Sequence, residues 1–182
     1  RSVTSLDVSS KSINDLTGIE DFTALTNLQC DDNSLTGLDV SSNTALTVLS
    51  CGTNQLTSLE LTSNTALTSL MCPDNQIALL DVRSLTAITD LRCYNNQMVH
   101  LNMKNGVTDA LTYFDATDNS FGCIEVKAED VDYATANWTS GNGNIDDGVE
   151  FNVVCAAEGY TYVPDDNFEQ ALISLGYDDA LN

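Results

Sequence analysis

Cysteine is the residue type whose spacing most clearly suggests chemistry. Four cysteines follow one another at intervals of 21 residues: Cys30, Cys51, Cys72 and Cys93. A zinc site would need all four sulfurs about 2.3 Å from one point, whereas equivalent positions on coils about 4.8 Å apart give a line of roughly 14 Å. Disulfides between neighbouring coils are possible on distance alone but would join only adjacent coils. The spacing favours reduced, buried thiols that pack as small hydrophobic side chains.

Groups that could support catalysis are sparse. His100 is the only histidine, and the neighbouring Asn102 and Lys104 favour a solvent-exposed strand face for it. The sequence contains no nucleophile elbow, phosphate-binding loop or metal-ligand spacing, and no spacing singles out a pair among the many carboxylates. We therefore predict a protein that is not an enzyme and that uses no cofactor and no metal.

The charge of the chain restricts its partners. Six Lys and Arg residues against 27 Asp and Glu residues give a formal net charge of −21. Such a surface repels nucleic acid and anionic membranes at long range, so neither is expected as a partner. No stretch approaches the roughly 18 consecutive apolar residues of a membrane span, so no membrane insertion is expected either. Residues 1–30 lack a signal-peptide pattern, and we expect a mature fragment whose targeting segment, if any, lies upstream.

An internal repeat provides the elements that position these side chains. The segments 25–45, 46–66 and 67–87 align without gaps, longer units begin at Ile88 and Leu111, and a divergent unit spans 3–24. The shared pattern is L-x-x-L-x-C-x-x-N-x-L. A buried asparagine at its ninth position can bond the free backbone groups where each coil turns away from its strand. We expect a ladder formed by Asn33, Asn54, Asn75, Asn96 and Asn119.

The apolar positions predict a repeat solenoid that is mainly β. Positions 1, 4, 6 and 11 of each unit point inward, and positions 4 and 6 have the two-residue period of a strand. The second half of each unit nearly repeats the first, as residues 35–43 and 56–64 illustrate. We therefore expect short, stacked parallel strands on both sides of each coil and no long helices. One unit cannot bury its own apolar face, so the units are stable only as a stack.

These repeats resemble those of the leucine-rich-repeat family. The resemblance is to the short, 21-residue repeats of secreted surface proteins of marine, flavobacterial-type Bacteroidetes, which carry cysteine and asparagine in the same way. It covers residues 1 to about 155. The resemblance implies a secreted or surface-exposed recognition module, and it supplies no ligand.

The period breaks after Leu111, and residues 112–155 resemble the C-terminal cap of the same family, in which two cysteines bracket the cap. Cys123 and Cys155 hold those positions here. A disulfide between them would close a loop where the core is thinnest, contributing roughly 3–4 kcal/mol, and would imply an oxidising compartment. We assign residues 1–134 to about six repeats and residues 135–155 to the cap. The repeats begin near residues 3, 25, 46, 67, 88 and 111.

Residues 156–182 differ in character from the repeats. Asp166 and Glu169 fit a capping box, Phe168 and Leu175 fall on one apolar helical face, and Gly176 is a natural stop. We expect a linker and a short C-terminal helix that opens a following module. Its apolar face could dock on the uncapped first repeat of a neighbouring molecule, giving head-to-tail self-association through residues 160–182, or could fold back on its own cap.

Outward positions of the first strand carry the remaining functional signal. These positions are small and polar in the early units and become larger toward the C-terminal end. There they bring together Met71, Arg92, Tyr94, Tyr113 and Asp115. Tyrosine and arginine are enriched at binding hot spots, although an ordinary solvent-exposed face is the alternative interpretation.

A second outward column contains Asp39, Glu60 and Asp81. Its carboxylates could hold Ca²⁺, but a solvated acidic edge that prevents strand-to-strand aggregation is the favoured interpretation.

Two functions fit these features. The first is an extracellular or cell-surface recognition and adhesion module that binds a protein or glycan through the exposed first-strand face. The second is a rigid, acidic structural spacer within a tandem-repeat surface protein. The aromatic and arginine side chains near the C-terminal end favour recognition, whereas the near-identity of the repeats and their bland Ser/Thr/Asn surface favour the spacer.

Overall fold

The computed structural model describes residues 3–155, which form a solenoid of stacked coils. The single α-helix of this range, α1, spans Val131–Asn137, and 3-10 turns span Ile19–Asp21, Thr108–Ala110, Ala128–Asp130 and Ser140–Asn142. The strands are β1 (Ser5–Asp7), β2 (Asn27–Gln29), β3 (Val48–Ser50), β4 (Ser69–Met71), β5 (Leu79–Asp81), β6 (Asp90–Arg92), β7 (His100–Asn102), β8 (Tyr113–Asp115), β9 (Cys123–Glu125) and β10 (Glu150–Asn152). The predicted solenoid of short, stacked parallel strands is confirmed.

Two parallel sheets run along the stack. The first sheet contains six strands in the order β1-β2-β3-β4-β6-β8, and the second contains four in the order β10-β9-β7-β5. The middle residue of every strand in the first sheet is apolar and faces the core, from Leu28 in β2 to Phe114 in β8. Each strand pairs with its equivalent one coil away, so side chains at equivalent repeat positions form straight columns.

The second sheet begins later than the repeat pattern predicts. The segments 38–40 and 59–61 are extended positions by sequence, yet no strand is formed there, and the first strand on this side is β5. Side-chain amides bond the backbone on this side of several coils. Asn43 donates to the carbonyls of Ile19 and Phe22, and Asn64 donates to that of Val40. The Asn105 amide reaches the Val82 carbonyl directly after β5 in the same way, so these bonds occur both with and without a strand ladder.

The asparagine column binds successive coils together. The Asn75 amide donates to the carbonyls of Cys51, Cys72 and Pro73 at 3.0–3.3 Å, and its Oδ1 accepts from the Leu56 amide at 2.9 Å. Equivalent bonds recur at the other four ladder positions, Asn33, Asn54, Asn96 and Asn119. Each asparagine therefore links its own coil to the coil before it.

The C-terminal end of the repeats is covered by a non-periodic cap. Trp138 packs against Phe114 of the last repeat with ring centroids 4.4 Å apart, and against Phe151 at 5.6 Å. The Asp146 carboxylate accepts bonds from the amides of Asp118 and Asn119. In the earlier coils the equivalent amides donate to carbonyls of the following coil. At the last repeat the Asp146 carboxylate supplies these acceptors in place of a further coil.

The predicted boundaries relate to these elements in two ways. The predicted start of the cap at residue 135 falls inside α1, which begins at Val131. The predicted linker and helix of residues 156–182, with the proposed self-association through residues 160–182, lie outside the described residues. Within residues 3–155 the structure contains no helix long and apolar enough to cross a membrane.

Candidate functional site

The first sheet presents the predicted binding residues in adjacent columns. Its register pairs Ser69 with Asp90 and Asp90 with Tyr113 in one column. In the next column Met71 pairs with Arg92, and Arg92 with Asp115. Tyr94 lies two residues beyond Arg92, on the same coil, and is partly buried. The five predicted site residues therefore lie on three consecutive coils.

Arg92 is held in place by its neighbours. Its Nε and Nη2 atoms donate to the two carboxylate oxygens of Asp90 at 2.9 and 3.0 Å. The guanidinium carbon lies 4.1 Å from the centroid of the Tyr113 ring, which is a cation–π geometry. The hydrogen bonds that Arg92 donates to Asp90 raise the pKa of Arg92 above its ordinary value. The guanidinium is thus held in one position, and the Asp90 carboxylate compensates its charge.

The remaining members contribute less directly. Tyr113 is 45% exposed, the largest value for any aromatic residue in the described range. The Asp115 carboxylate accepts bonds from the amide and hydroxyl of Thr117, which orients it on the sheet surface. The sequence identified these residues, but it did not identify Asp90, whose carboxylate fixes the arginine. The two-residue spacing of a strand could have suggested that pair.

The second sheet contains a buried carboxylate that the sequence did not single out. Glu125 Oε2 lies 2.9 Å from Lys104 Nζ, and Oε1 accepts a bond from the Cys155 amide at 3.1 Å. His100 Nε2 lies 3.6 Å from Oε1, and the histidine side chain is 37% exposed on β7, on a strand face as predicted. Burial alone would raise the pKa of Glu125, but the bonds from Lys104 and Cys155 lower it below its ordinary value. This cluster anchors the end of the cap.

The acidic column does not assemble into a metal site. Asp39, Glu60 and Asp81 are exposed and bond mainly to the residue two positions later, Asp81 through a pair with Arg83. Within the described range no three His, Cys, Asp or Glu side chains come close enough to hold a metal ion.

The cysteines divide into two groups. Cys123 and Cys155 form a disulfide with Cα atoms 5.6 Å apart, which confirms that predicted bond. The ladder cysteines Cys30, Cys51, Cys72 and Cys93 are buried and unpaired. Burial raises the pKa of the Cys30 and Cys72 thiols to about 12. The thiols are therefore neutral packing groups, and no nucleophile is available among them.

Ionisation of the ladder thiols should make the fold sensitive to alkali. Unfolding returns the Cys30 and Cys72 thiols from a pKa of about 12 to their ordinary 9.0. Because the folded pKa is the higher one, their contribution to stability is complete below about pH 9 and is lost as the pH rises toward 12. We expect the urea midpoint to fall between pH 8.5 and pH 10.5. A Cys72→Ala variant, matching the alanine at the same position in the last coil, should show a weaker dependence; an identical pH profile would contradict this account.

Comparison with known proteins identifies the fold. An internalin (inlF) from Listeria monocytogenes matches at 19% identity over 81% of this chain and 48% of its own, with a TM-score of 0.55. A leucine-rich-repeat protein from Leptospira interrogans matches at 17% identity over 69% of this chain and 44% of its own, with a TM-score of 0.54. The chain matches no known family profile and no curated protein sequence.

These likenesses show that the chain has a leucine-rich-repeat fold, and at this level of identity they show the fold alone. The chain spans about half the length of the solved structures it matches.

Proposed function

We propose that this chain is a non-catalytic recognition module that binds a protein or a glycan through the outward face of its first sheet. The observation that carries the proposal is the stack of Arg92 on the half-exposed Tyr113 ring at 4.1 Å. Aromatic and arginine side chains are the usual anchors of binding surfaces. The proposed contact surface comprises Met71, Arg92, Tyr94, Tyr113 and Asp115.

The fixed geometry of this surface favours binding. Asp90 already holds the guanidinium through two bonds, so a ligand would immobilise little additional side-chain freedom on contact. Because Asp90 also compensates the arginine charge, the surface offers two flat groups, the Tyr113 ring and the Arg92 guanidinium, rather than an isolated cation. A sugar ring or a peptide surface can pack on these flat groups better than a phosphate group can.

The disulfide supports an extracytoplasmic location for the module. Bonds such as that between Cys123 and Cys155 form and persist mainly where the surroundings are oxidising. We therefore place the module outside the cytoplasm, secreted or at the cell surface.

A rigid spacer is the second candidate function, and a column of threonines favours it. Each hydroxyl of Thr26, Thr47, Thr68, Thr89 and Thr112 donates to the carbonyl of the equivalent threonine one coil earlier, at 2.9–3.1 Å. Together with the asparagine ladder, this column ties every described coil to its neighbour. A stiff, acidic spacer of this kind would act without binding a ligand.

Binding to arrays of glycans and proteins separates the two functions, followed by measurement of affinity for any ligand found. Tyr113→Ala, Arg92→Ala and Tyr94→Ala should each weaken binding by roughly 2 kcal/mol, about 30-fold, because each removes a large side chain of the proposed contact surface. The matched control is Asn27→Ala, which changes the column of Tyr113 four coils earlier. It should leave affinity unchanged.

Two outcomes would contradict the recognition proposal. Equal affinity in the three variants and the control would move the site to another surface. A folded protein that binds no member of any ligand class would leave the spacer as the function.

A further inference from the structure

The surface opposite the proposed binding site, which we call the second face, carries exposed apolar side chains. Leu79 is 60% exposed and Val99 is 58% exposed, the two largest values among the large hydrophobic residues of the described range. Leu79 pairs in register with His100, and the Val99 amide donates to the Ala78 carbonyl. The two side chains therefore lie on neighbouring coils near the middle of the stack. Removing this apolar area from water is favourable, so the surface favours contact with another molecule.

The second face has one repeated turn that defines its columns. In four successive coils an amide donates to the side chain two residues earlier: Ser41 to Asp39, Thr62 to Glu60, Arg83 to Asp81 and Lys104 to Asn102. The next coil continues both columns, because Glu125 pairs in register with Asn102. One column is therefore Asp39, Glu60, Asp81, Asn102 and Glu125, and the other is Ser41, Thr62, Arg83, Lys104 and Lys127.

Along these columns the N-terminal end carries only acidic charges, whereas the C-terminal end carries all the basic ones, two of which are paired with Asp81 and Glu125. Asp39 and Glu60, at the N-terminal end, are exposed and have no Lys or Arg within 4.0 Å among the described residues. Arg83, Lys104 and Lys127 follow toward the C-terminal end. They are three of the five Lys and Arg residues in the range 3–155, so the concentration of positive charge here is a feature of this face alone. Leu79 lies where the two regions meet.

We propose that the second face is the interface of a homodimer in which two copies pack antiparallel about a two-fold axis close to Leu79. A two-fold axis at this coil brings the Leu79 side chains together. It also sets Glu60 of one copy opposite Lys104 of the other, and Asp39 opposite Lys127. A parallel arrangement would place like charges opposite each other, so only the antiparallel one is self-complementary.

A second copy fits this face better than a foreign polyanion does. A nucleic acid or acidic polysaccharide would meet Asp39 and Glu60 with like charge and would leave the exposed Leu79 and Val99 side chains without an apolar partner. Each copy carries a net charge of −21, which opposes association of two copies at low ionic strength. At an ionic strength of about 0.15 M screening acts beyond roughly 8 Å, so repulsion between distant carboxylates of two copies is weakened more than the contacts at the interface.

Sedimentation velocity of the 182-residue chain across a concentration series tests the dimer. Leu79→Ser should weaken dimerisation, and Asp39→Lys and Lys127→Glu should each weaken it by on the order of tenfold. The Asp39→Lys/Lys127→Glu double variant should recover the wild-type dissociation constant, because it exchanges the two charges across the interface. An equimolar mixture of the two single variants should form a heterodimer more readily than either variant forms a homodimer.

Asp7→Lys is the matched control for Asp39→Lys. Both aspartates are exposed, and each accepts a bond from the amide two residues later, but Asp7 lies on the first sheet. It should leave dimerisation unchanged. The proposal is overturned by a monomer at every concentration, or by an association insensitive to Leu79→Ser and Asp39→Lys, as a head-to-tail contact through residues 160–182 would be. Failure of the double variant to recover dimerisation would equally overturn the antiparallel pairing.

Discussion

Asn75→Ala should lower the free energy of unfolding by about 3–5 kcal/mol. The Asn75 amide donates to three carbonyls and its oxygen accepts from Leu56, and the side chain is 8% exposed. Removal leaves the buried Leu56 amide without its partner, at a cost of about 1–3 kcal/mol. Each of the three carbonyls also loses one of its two donors and keeps the other, from Asn54, Asn96 or Thr53, at about 0.5–1.5 kcal/mol per lost bond. Urea unfolding followed by far-ultraviolet circular dichroism measures the loss.

The adjacent residue supplies the control for this change. Gln76 is exposed, and its side chain makes no hydrogen bond to the described residues, so Gln76→Ala should change stability by no more than about 0.5 kcal/mol. Asn75→Asp keeps an acceptor for the Leu56 amide but turns a second carboxylate oxygen toward the three carbonyls. It should be as damaging as alanine at neutral pH. A loss below about 1 kcal/mol in both Asn75 variants would mean that the ladder is not a source of stability.

The repeated part of the fold could be predicted because every coil buries equivalent residues and bonds its backbone in the same way. The 21-residue interval places Leu28, Leu49 and Leu70 at the same inward position, and the strands then pair in register. The asparagine ladder follows from the same interval, since one side chain has the same backbone neighbours in each coil. The columns of the candidate site were predictable for this reason, including the proximity of Arg92 and Tyr113.

The parts that could not be predicted lie where the period fails. Asp146 bonds Asp118 and Asn119 from 28 and 27 positions away, a distance that no repeat interval specifies. The cluster of Glu125, Lys104 and His100 depends on the return of the chain at Cys155, after a cap of irregular length. The second sheet also begins later than the half-repeat predicts, with its first strand at Leu79–Asp81.

Removal of the cap disulfide should cost about 3–4 kcal/mol of stability and should do so at one end of the molecule. The bond joins residues 32 positions apart, and the chain-entropy model assigns that range to a loop of this size. The closed loop contains α1, β10 and Trp138. Trp138 is the only tryptophan and packs on Phe114, so its fluorescence reports the cap, whereas circular dichroism reports all the coils.

In a Cys123→Ser/Cys155→Ser variant we expect the Trp138 transition to move to lower urea than the circular dichroism transition, because repeat stacks unfold by units that contact only their neighbours. The control is Cys51→Ala, which removes a buried ladder thiol but no covalent bond and should leave the order of the two transitions unchanged. Thiol titration supplies a separate check on the disulfide. The wild-type chain, unfolded without reductant, should expose only the four ladder thiols, because Cys123 and Cys155 are joined to each other. The double serine variant, which lacks those two cysteines, should expose the same four. Coincident fluorescence and circular dichroism transitions in the serine variant would show that the bond stabilises the whole solenoid rather than its cap.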